Sequence, residues 1–286
     1  MDFTKIRVLV TDGSGKQPLA MIRGLKELGC HVTVLCSTIW DSCYVSNKPD
    51  KKILNKDLLE RDEGTFRFLI SLVSSGNYDV IMPIGERSTN FVTEHEEELK
   101  KYVKLACAPR DTYIKAYNKQ YTFDKAMSLG VPCPYTRSSG QDVEDYLHKA
   151  HFPLIIKPRQ GLGSIGFHKF ENEKDLRERL ADNNFQLDDY VLQEFVDFEH
   201  RIGTLIFMDK NGNVCTSYAT DVLRWFPLDA GSAVLIKTTK ADDVLRQTSN
   251  LLKALGWKGF AAACFMIDKK QVNPSCWKSM EEYQQV

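Results

Sequence analysis

Residues 152–170 read FPLIIKPRQGLGSIGFHKF, and this stretch decides the fold of the chain. An apolar run ends at Lys157 and is followed by a turn with three glycines, Gly161, Gly163 and Gly166. Glycines let backbone N–H groups approach phosphate oxygens closely, and a lysine at the end of a strand supplies a compact positive charge. The pattern predicts a buried strand leading into a phosphate-binding turn. An ordinary hairpin loop with a chance lysine is the alternative.

Upstream of this stretch, apolar strands alternate with amphipathic helices. IRVLVT at 6–11 predicts a strand, QPLAMIRGLKELG at 17–29 a helix and HVTVLC at 31–36 a second strand. The pattern recurs with a helix at 65–75, the strand DVIMPI, a helix after Glu86 and a short strand near VKLAC. Strands that alternate with helices predict a parallel sheet covered on both faces.

The turn after the first strand reads TDGSGK and has one G-x-G without the third glycine of a dinucleotide fingerprint. We therefore interpret it as the turn of a Rossmann-like domain that borders an acceptor pocket, and disfavour a dehydrogenase. Glu86 lies at the carboxyl end of a strand, where such sheets bind ligands. A carboxylate that stabilises a helix N-terminus is the simpler interpretation of Glu86.

The chain changes character at Ala108, where we place a domain boundary. TYIKAYNKQYTFDKAMSLG at 112–130 predicts one helix ending at Gly130, and two prolines in VPCPYT predict extended backbone. A helix after Gln141, the strands FPLIIKP, IGFHKF and DYVLQEFV, and a helix from Glu173 follow. RIGTLIFM and VCTSYATD flank an Asn-Gly pair, which predicts a hairpin. A helix at 241–255 and the strand GFAAACFMI complete a mixed α+β region.

Composition excludes several classes of protein. The chain has 286 residues, with 38 basic and 38 acidic side chains, so no net charge attracts it to nucleic acid or to an anionic membrane. Its eight cysteines form no C-x-x-C pair, which favours reduced thiols. No signal segment and no apolar run of about 18 residues is found. We expect a cytoplasmic protein, with a homodimer as the common default.

The order of these motifs resembles that of ATP-grasp ligases, particularly stand-alone proteins similar to half of a carbamoyl-phosphate synthetase large subunit. The resemblance rests on the Asn-Lys pair in YNKQYT, on GVPCP, on IIKP with its turn, on LQEF, and on the Asn-Pro pair near the end. It implies a Rossmann-like pre-ATP-grasp domain at 1–107. An ATP-grasp domain would follow at 108–286, with a small lobe at about 122–195 and a large lobe at about 196–286.

The resemblance also implies a reaction. ATP phosphorylates a small-molecule carboxylate, and an amine or a thiol then displaces phosphate from the acyl-phosphate, with Mg²⁺ as the metal. The residues that it assigns to the nucleotide are Lys119, Lys157, Arg159, Gly161, Gly163, Ser164, Gly166, Gln193, Glu194, Phe195, Val196 and Glu199.

These assignments imply distinct roles. The two lysines would face one triphosphate beneath a glycine lid at 160–166. The backbone at 193–196 would form a hinge that bonds the adenine edge, and Glu199 would bind ribose. For Lys119 the alternative is a solvated helix lysine, and for Glu194 and Glu199 a solvated acidic turn.

Arg224 lies in DVLRWFPLDAGSAVLIKTT, a segment that resembles the family's arginine before an aromatic, a proline and a glycine turn. The resemblance implies that Arg224 is a catalytic residue that holds the acyl-phosphate or the acceptor carboxylate, since a guanidinium binds both bidentately. An arginine stacked on Trp225, or paired with Asp221 or Asp229, is the alternative.

The metal-binding segment departs from the family. Cys264 stands at the first carboxylate position, with Asp268 four residues beyond it. QVNPSCW replaces the Glu-x-Asn-Pro-Arg pattern, so that Gln271 and Ser275 flank a retained Asn273. The spacing predicts an incomplete hairpin, and Asn273 and Asp268 remain the candidate metal ligands. A second hypothesis follows, an ATP-binding protein that transfers no phosphoryl group.

Overall fold

The structure is a computed structural model, and it describes residues 2–56, 60–161, 166–226, 232–268 and 279–281. The chain divides into two compact units, and the division falls between Tyr113 and Ile114 in the sequence. The predicted boundary at Ala108 lies shortly before this division and stays a prediction. The second unit contains two sheets, and its predicted division into a small and a large lobe stays a prediction.

The N-terminal unit is built on a five-stranded parallel sheet, as predicted. Its strands are β1 (Arg7–Val10), β2 (His31–Cys36), β3 (Lys51–Leu54), β4 (Val80–Met82) and β5 (Lys104–Leu105), in the order β3-β2-β1-β4-β5. The strand β3 was not predicted, because KKIL is short and begins with two lysines.

Helices cover both faces of this sheet. They are α1 (Lys16–Glu27), α2 (Ser42–Val45), α3 (Glu63–Val73), α4 (Glu86–Glu94) and α5 (Glu96–Leu99). Alternate strand residues supply two separate cores: Leu9 and Leu35 pack in one, and Val8 and Val32 in the other. Burial on both faces explains why β1 and β2 are almost continuous apolar runs.

The helix predicted at 112–130 is wrong in one respect, since the structure breaks it at Asn118. It forms α6 (Arg110–Tyr117) and α7 (Lys119–Ser128). Asn118 has an extended backbone, and its side chain accepts a hydrogen bond from the N–H of Tyr121 at 3.3 Å. Asparagine is a strong N-cap residue, so it starts a new helix at Lys119.

The first sheet of the C-terminal unit has three antiparallel strands, β6 (Leu154–Pro158), β7 (His168–Phe170) and β8 (Tyr190–Glu194), in the order β7-β6-β8. The helices α8 (Val143–Leu147) and α9 (Glu173–Leu180) accompany it. Leu154, Ile156 and Leu192 pack against Tyr146 and Leu176, so one face of the sheet is filled by a core. The other face carries Ile155 and Lys157.

The second sheet contains β9 (Phe198–Met208), β10 (Val214–Phe226), β11 (Ser232–Thr239), β12 (Gly259–Asp268) and β13 (Ser279–Glu281), in the order β11-β10-β9-β12-β13. The hairpin of β9 and β10 confirms the Asn-Gly prediction. The amphipathic helix α10 (Asp242–Leu255) packs on one face through Val244 and Leu251. Gly256 ends this helix in the left-handed conformation.

The prediction that β12 lacks a complete returning strand needs a correction. A short antiparallel strand, β13, pairs with β12, and its register places Glu281 opposite Cys264 and Ser279 opposite Met266. The spacing argument considered only the residues up to Asn273, whereas the pairing begins further along the chain. Residues 269–278 lie outside the described part of the chain.

In the described residues, no helix is both long enough and apolar enough to span a membrane.

Candidate functional site

Lys119 lies where the first turn of α7 meets the end of β6. Its backbone N–H donates to the carbonyl of Arg159 at 2.8 Å, and its Nζ donates to the carbonyl of Gly161 at 2.8 Å. The first backbone N–H groups of a helix have no partner within the helix, so the chain after β6 satisfies one of them. Lys119 therefore lies at the glycine turn, 42 residues away in sequence.

Lys157 reaches the same helix from the strand. Its Nζ lies 4.8 Å from the ring centroid of Phe123, which is buried in α7. An ammonium group over an aromatic face is attracted by the ring quadrupole. Both predicted phosphate lysines thus adjoin α7, one at its N-terminus and one over its second turn. The fold brings two cations to one end of β6.

The described glycines of the turn have the conformations that favour glycine. Gly161 has a φ of 112° and Gly166 a φ of 79°. A Cβ at Gly166 would lie 2.8 Å from Cγ of Pro158, so the chain returns close to the end of β6. Gly163 and Ser164 lie outside the described residues. The close return of the chain shows why a side chain is not accepted at Gly166.

Arg159 is held against β8. Its Nε donates to the carbonyl of Tyr190 at 3.3 Å, and Nη2 lies 3.6 Å from Oδ1 of the exposed Asp188. Its N–H donates to the carbonyl of Asp189 at 2.8 Å. These contacts fix the exit of β6 and thereby position the carbonyl that receives Lys119.

The predicted hinge at 193–196 is tied to the residues beside it. The N–H of Glu194 donates to the carbonyl of Tyr135, and the N–H of Phe195 to the carbonyl of Pro153, each at 2.9 Å. Gln193 is buried, and its Nε2 donates to Oγ1 of Thr136 at 2.7 Å. Gln193 is therefore a structural anchor, and two of the hinge N–H groups already have partners within the protein.

The carboxylate of Glu194 also belongs to this anchor. It accepts a hydrogen bond from the N–H of His151 at 2.7 Å and lies 3.2 Å from Nδ1 of the same residue. Tyr146 donates from its hydroxyl to the carbonyl of Tyr135 at 3.0 Å. Burial, with the nearby Glu194 carboxylate, raises the pKa of Tyr146, so its hydroxyl stays a donor.

Lys169 was missed by the sequence interpretation. It lies opposite Ile155 across β6 and β7, and residues two apart on a strand share a face, so Lys169 faces the same side as Lys157. Its Nζ lies 4.2 Å from the ring centroid of Phe195 and 2.8 Å from the carboxylate of Glu171. Only the strand pairing reveals this cation beside the hinge.

A cleft of about 1210 Å³ borders the hinge. Its walls include 130–135, 151–153 and 194–197, together with Lys149 and Lys169. Pockets for small molecules commonly span about 300–1,000 Å³, so the space is adequate for a nucleotide base and sugar. Lys119 and Lys157 do not line it. We therefore locate the candidate phosphate site by the lysine contacts rather than by this cleft.

Cys133 lies in the wall of the same cleft. Burial raises the pKa of its thiol to about 11, so the thiol is protonated at neutral pH. It contributes an apolar surface rather than a nucleophile.

Arg224 and Glu199 both lie on the second sheet, and both are exposed. Arg224 is opposite Leu235 in a part of β10 where the register shifts on both sides of it. In the described part of the chain, the guanidinium over the Trp225 ring is that of Arg201, at 4.8 Å from the ring centroid. Asp229, one of the alternative partners of Arg224, lies outside the described residues.

Arg201 is the second residue that the sequence interpretation missed. It is 1% exposed, in the middle of β9, and lies opposite Val222 on one side and Met266 on the other. Its guanidinium also lies 5.7 Å from the ring centroid of Phe198. The sequence held only a weak signal, since Arg201 directly precedes the largely apolar run IGTLIFM, and its ring contacts depend on strand pairing.

The predicted metal end of the site is less complete. Cys264 is buried at the first carboxylate position, opposite Gly203. The backbone of Asp268 closes β12 opposite Phe198, while its side chain and the whole of Asn273 lie outside the described residues. Within the described residues, no group of three His, Cys, Asp or Glu side chains could hold a metal ion. A thiol at Cys264 does not suit Mg²⁺, which prefers oxygen ligands.

Comparison with known proteins gives a family match and curated relatives. A family model described as an ATP-grasp domain matches residues 116–273. The carbamoyl phosphate synthase large chain of Clostridium botulinum (strain Langeland) is 25% identical over 273 residues, which is 90% of this chain and 24% of that protein. This chain thus spans about a quarter of the length of that relative.

Solved structures share the fold. The biotin carboxylase of Campylobacter jejuni, in a β,γ-ATP complex, superposes with a TM-score of 0.75 at 19% identity, covering 99% of this chain and 66% of that one. The biotin carboxylase domain of Hydrogenobacter thermophilus 2-oxoglutarate carboxylase, bound to MgADP and bicarbonate, gives 0.71 at 19% identity, covering 98% and 64%.

Proposed function

Because this chain belongs to the ATP-grasp family, we propose that it binds ATP with its phosphates at Lys119, Lys157 and the glycine turn. Members of this family join carboxylates to amines. The observation that carries the proposal is the double contact of Lys119 with the chain after β6, through its N–H and its Nζ. That contact supports a shared phosphate site for two lysines that are distant in sequence.

Each lysine would neutralise part of the polyphosphate charge. Nζ of Lys119 already donates to a carbonyl of the glycine turn, so a phosphate oxygen would compete with or join that acceptor. Backbone N–H groups of the turn would add neutral donors. On this proposal the base lies toward the hinge, where Lys169 and Phe195 contact one another.

The hydrogen bonds of the hinge limit which of its backbone groups can bind adenine. The N–H groups of Glu194 and Phe195 already donate within the protein. The proposal therefore assigns the adenine edge to Val196 and to hinge carbonyls, and Glu199 to the ribose. These roles stay predictions.

For the reaction, we propose an ATP-dependent carboxylate–amine or carboxylate–thiol ligase. A carboxylate oxygen attacks the γ-phosphorus and ADP leaves, which forms an acyl-phosphate. The amine or thiol then attacks the acyl carbon, loses its proton, and inorganic phosphate leaves. Arg224 is the residue proposed to hold the acyl-phosphate or the acceptor carboxylate, because its fork matches both bidentately.

A second candidate function is binding without transfer. It is favoured by the buried thiol of Cys264 at the position of a metal carboxylate, since Mg²⁺ supplies charge stabilisation to phosphoryl transfer in this kind of chemistry. We derive no step through the metal. The cytoplasmic location and the homodimer stay predictions.

Calorimetric titration with ATP, with and without Mg²⁺, tests the nucleotide site. A phosphate-release assay over small carboxylates and amines, run on the same samples, tests transfer. Binding with turnover supports the ligase, and binding without turnover supports the second candidate. Absence of saturable ATP binding under both conditions would remove both candidates.

A further inference from the structure

A second cavity lies in the N-terminal unit, remote in sequence from the lysines discussed above. It has a volume of about 120 Å³ and lies at the carboxyl ends of β1 and β2. Thr11, Asp12 and Gly13 follow β1 and Ser37 follows β2, and the polar lining also includes Arg61 and Ser88. In doubly wound sheets, ligands bind beyond the carboxyl ends of the strands where the strand order reverses. Here β1 is the central strand, between β2 and β4.

Asp12 is the acidic residue of the lining. Its Oδ2 accepts hydrogen bonds from the N–H groups of Ile84 and Gly85, at 3.0 and 3.2 Å, and from the hydroxyl of Thr11 at 2.7 Å. Its Oδ1 accepts a bond from the hydroxyl of Ser88 at 2.5 Å. Four neutral donors stabilise this carboxylate, so it serves to tie the β1 turn to α4.

Arg61 is the basic residue of the lining. Its Nη2 donates to Oγ of Ser88 at 3.1 Å and lies 4.0 Å from Oδ1 of Asp12. Its side chain is 22% exposed. Burial lowers the pKa of Arg61, and the Asp12 carboxylate raises it. The positive charge of Arg87 lowers the pKa of Arg61 further. The guanidinium of Arg61 lies at the limit of ion-pair distance from Asp12, whose carboxylate is already held by four neutral donors, so Arg61 can also face an anion in the cavity.

The loops around the cavity are closely packed and hydrogen-bonded. A Cβ at Gly13 would lie 2.3 Å from Sγ of Cys36 and 2.7 Å from the carbonyl oxygen of Leu35, so the β1 turn presses on the end of β2. Asp41 accepts bonds from the N–H groups of Ser37 and Thr38, at 2.7 and 3.2 Å. The loops are preformed, which reduces the ordering that binding requires.

The size of the cavity limits which ligands it can hold. A cavity of 120 Å³ exceeds the space that one water needs, about 10–15 Å³, and is smaller than the roughly 300–1,000 Å³ of pockets that enclose a drug-sized ligand. It fits a functional group or a very small molecule. It does not fit a dinucleotide, in agreement with the incomplete glycine fingerprint.

We propose that the N-terminal unit binds a small anionic group, a carboxylate or a phosphate of a small molecule, in this cavity through the guanidinium of Arg61. The hydroxyl of Ser37 lies in the same lining and would add a neutral donor. The residues of this site differ from those proposed for the nucleotide, and its test contains no ATP, so either proposal can fail without the other.

The experiment is a titration followed by ¹⁵N-resolved amide shifts, with sodium acetate, sodium phosphate and neutral acetamide as probes at constant ionic strength. We expect saturable shifts at Gly13 and Ser37 with acetate, phosphate or both, and none with acetamide. The anion that binds more tightly shows whether the site prefers a carboxylate or a phosphate. Absence of saturable shifts with both anions would overturn the proposal.

Variants assign the binding to Arg61. Arg61→Met is expected to weaken the bound anion about tenfold or more, as the loss of a charge-assisted hydrogen bond implies. Arg61→Gln, which keeps a donor toward Ser88, is expected to show the same loss and serves if the first variant does not fold. Arg67→Met is the matched control, because Arg67 is 77% exposed and pairs with Glu63 in the first turns of α3. Equal binding in a folded Arg61 variant would refute the site.

Discussion

The end of β6 and the end of β12 differ sharply within the C-terminal unit. At β6, Lys157 and the contact of Lys119 with Gly161 keep the residue types expected for a phosphate site. At β12, a buried cysteine stands where the resemblance predicts a metal carboxylate. On the proposed function, holding a nucleotide and transferring its phosphoryl group would depend on different side chains, one set at β6 and the other at β12.

Charge explains why the two ends separate. Lysine ammonium groups and backbone N–H groups can hold a polyphosphate without a metal carboxylate from the protein. Phosphoryl transfer demands further neutralisation in the transition state, commonly by Mg²⁺ held through carboxylates.

The double variant Lys119→Met with Lys157→Met tests the β6 end. We expect the affinity for ATP to fall about a thousandfold, since each charge-assisted hydrogen bond is worth roughly 1.5–3 kcal/mol. Methionine preserves packing over Phe123 while removing the charge. Calorimetry measures the change, and Lys125→Met, in the last turn of α7, is the control. Unchanged affinity in the folded double variant would show that the phosphates bind elsewhere.

Cys264→Asp tests the β12 end. An aspartate at this buried position is expected to lower the free energy of unfolding by about 3 kcal/mol without metal, because a carboxylate is desolvated without a partner. If the position faces a metal site, Mg²⁺ with ATP restores part of the loss in a thermal melt. Cys215→Asp, at an exposed cysteine, should be nearly neutral. A variant that Mg²⁺ does not stabilise would show that the β12 end differs in more than one ligand.

Gly166→Ala tests the return of the glycine turn. We expect a loss of about 1–2 kcal/mol in urea unfolding from the positive φ alone, and more from the contact with Pro158. Gly130→Ala is the matched control, because Gly130 also has a positive φ but a Cβ there meets open space. Equal losses in the two variants would show that the turn relaxes away from Pro158.

Glu194→Gln gives the smallest expected effect. Glutamine retains an acceptor for the N–H of His151 but loses the charge, so we expect a loss of about 0.5–1 kcal/mol in stability. ATP affinity should change by less than about threefold. A tenfold loss of ATP affinity would instead place this carboxylate in contact with the nucleotide, and calorimetry separates the two results.

Much of the fold could be predicted from the sequence, because the relevant patterns are local. The alternation of strands and helices up to Cys107, the Asn-Gly hairpin and the end of α10 at Gly256 all depend on residues within a few positions of one another. The predicted single helix at 112–130 was wrong at Asn118, where a capping side chain competed with continuous helical periodicity.

The candidate site was predictable only in part. The strand before Lys157 and the glycine turn were visible, but the contacts of Lys169 and Arg201 were not, because they depend on which strands pair. Arg201 occupies the place over Trp225 that the sequence suggested for Arg224. An adjacent residue in sequence was the natural guess, whereas the sheet brings a residue of the neighbouring strand there.

By itself the sequence determined which segments form strands, helices and turns, and which residue types end them, since periodicity and turn chemistry act between near neighbours. Only the tertiary structure decided that Lys119 reaches Gly161, that β13 pairs beside Cys264, and that Arg61 enters a cavity with Asp12. Those contacts join residues far apart in the chain, and packing of whole elements, rather than any local preference, selects them.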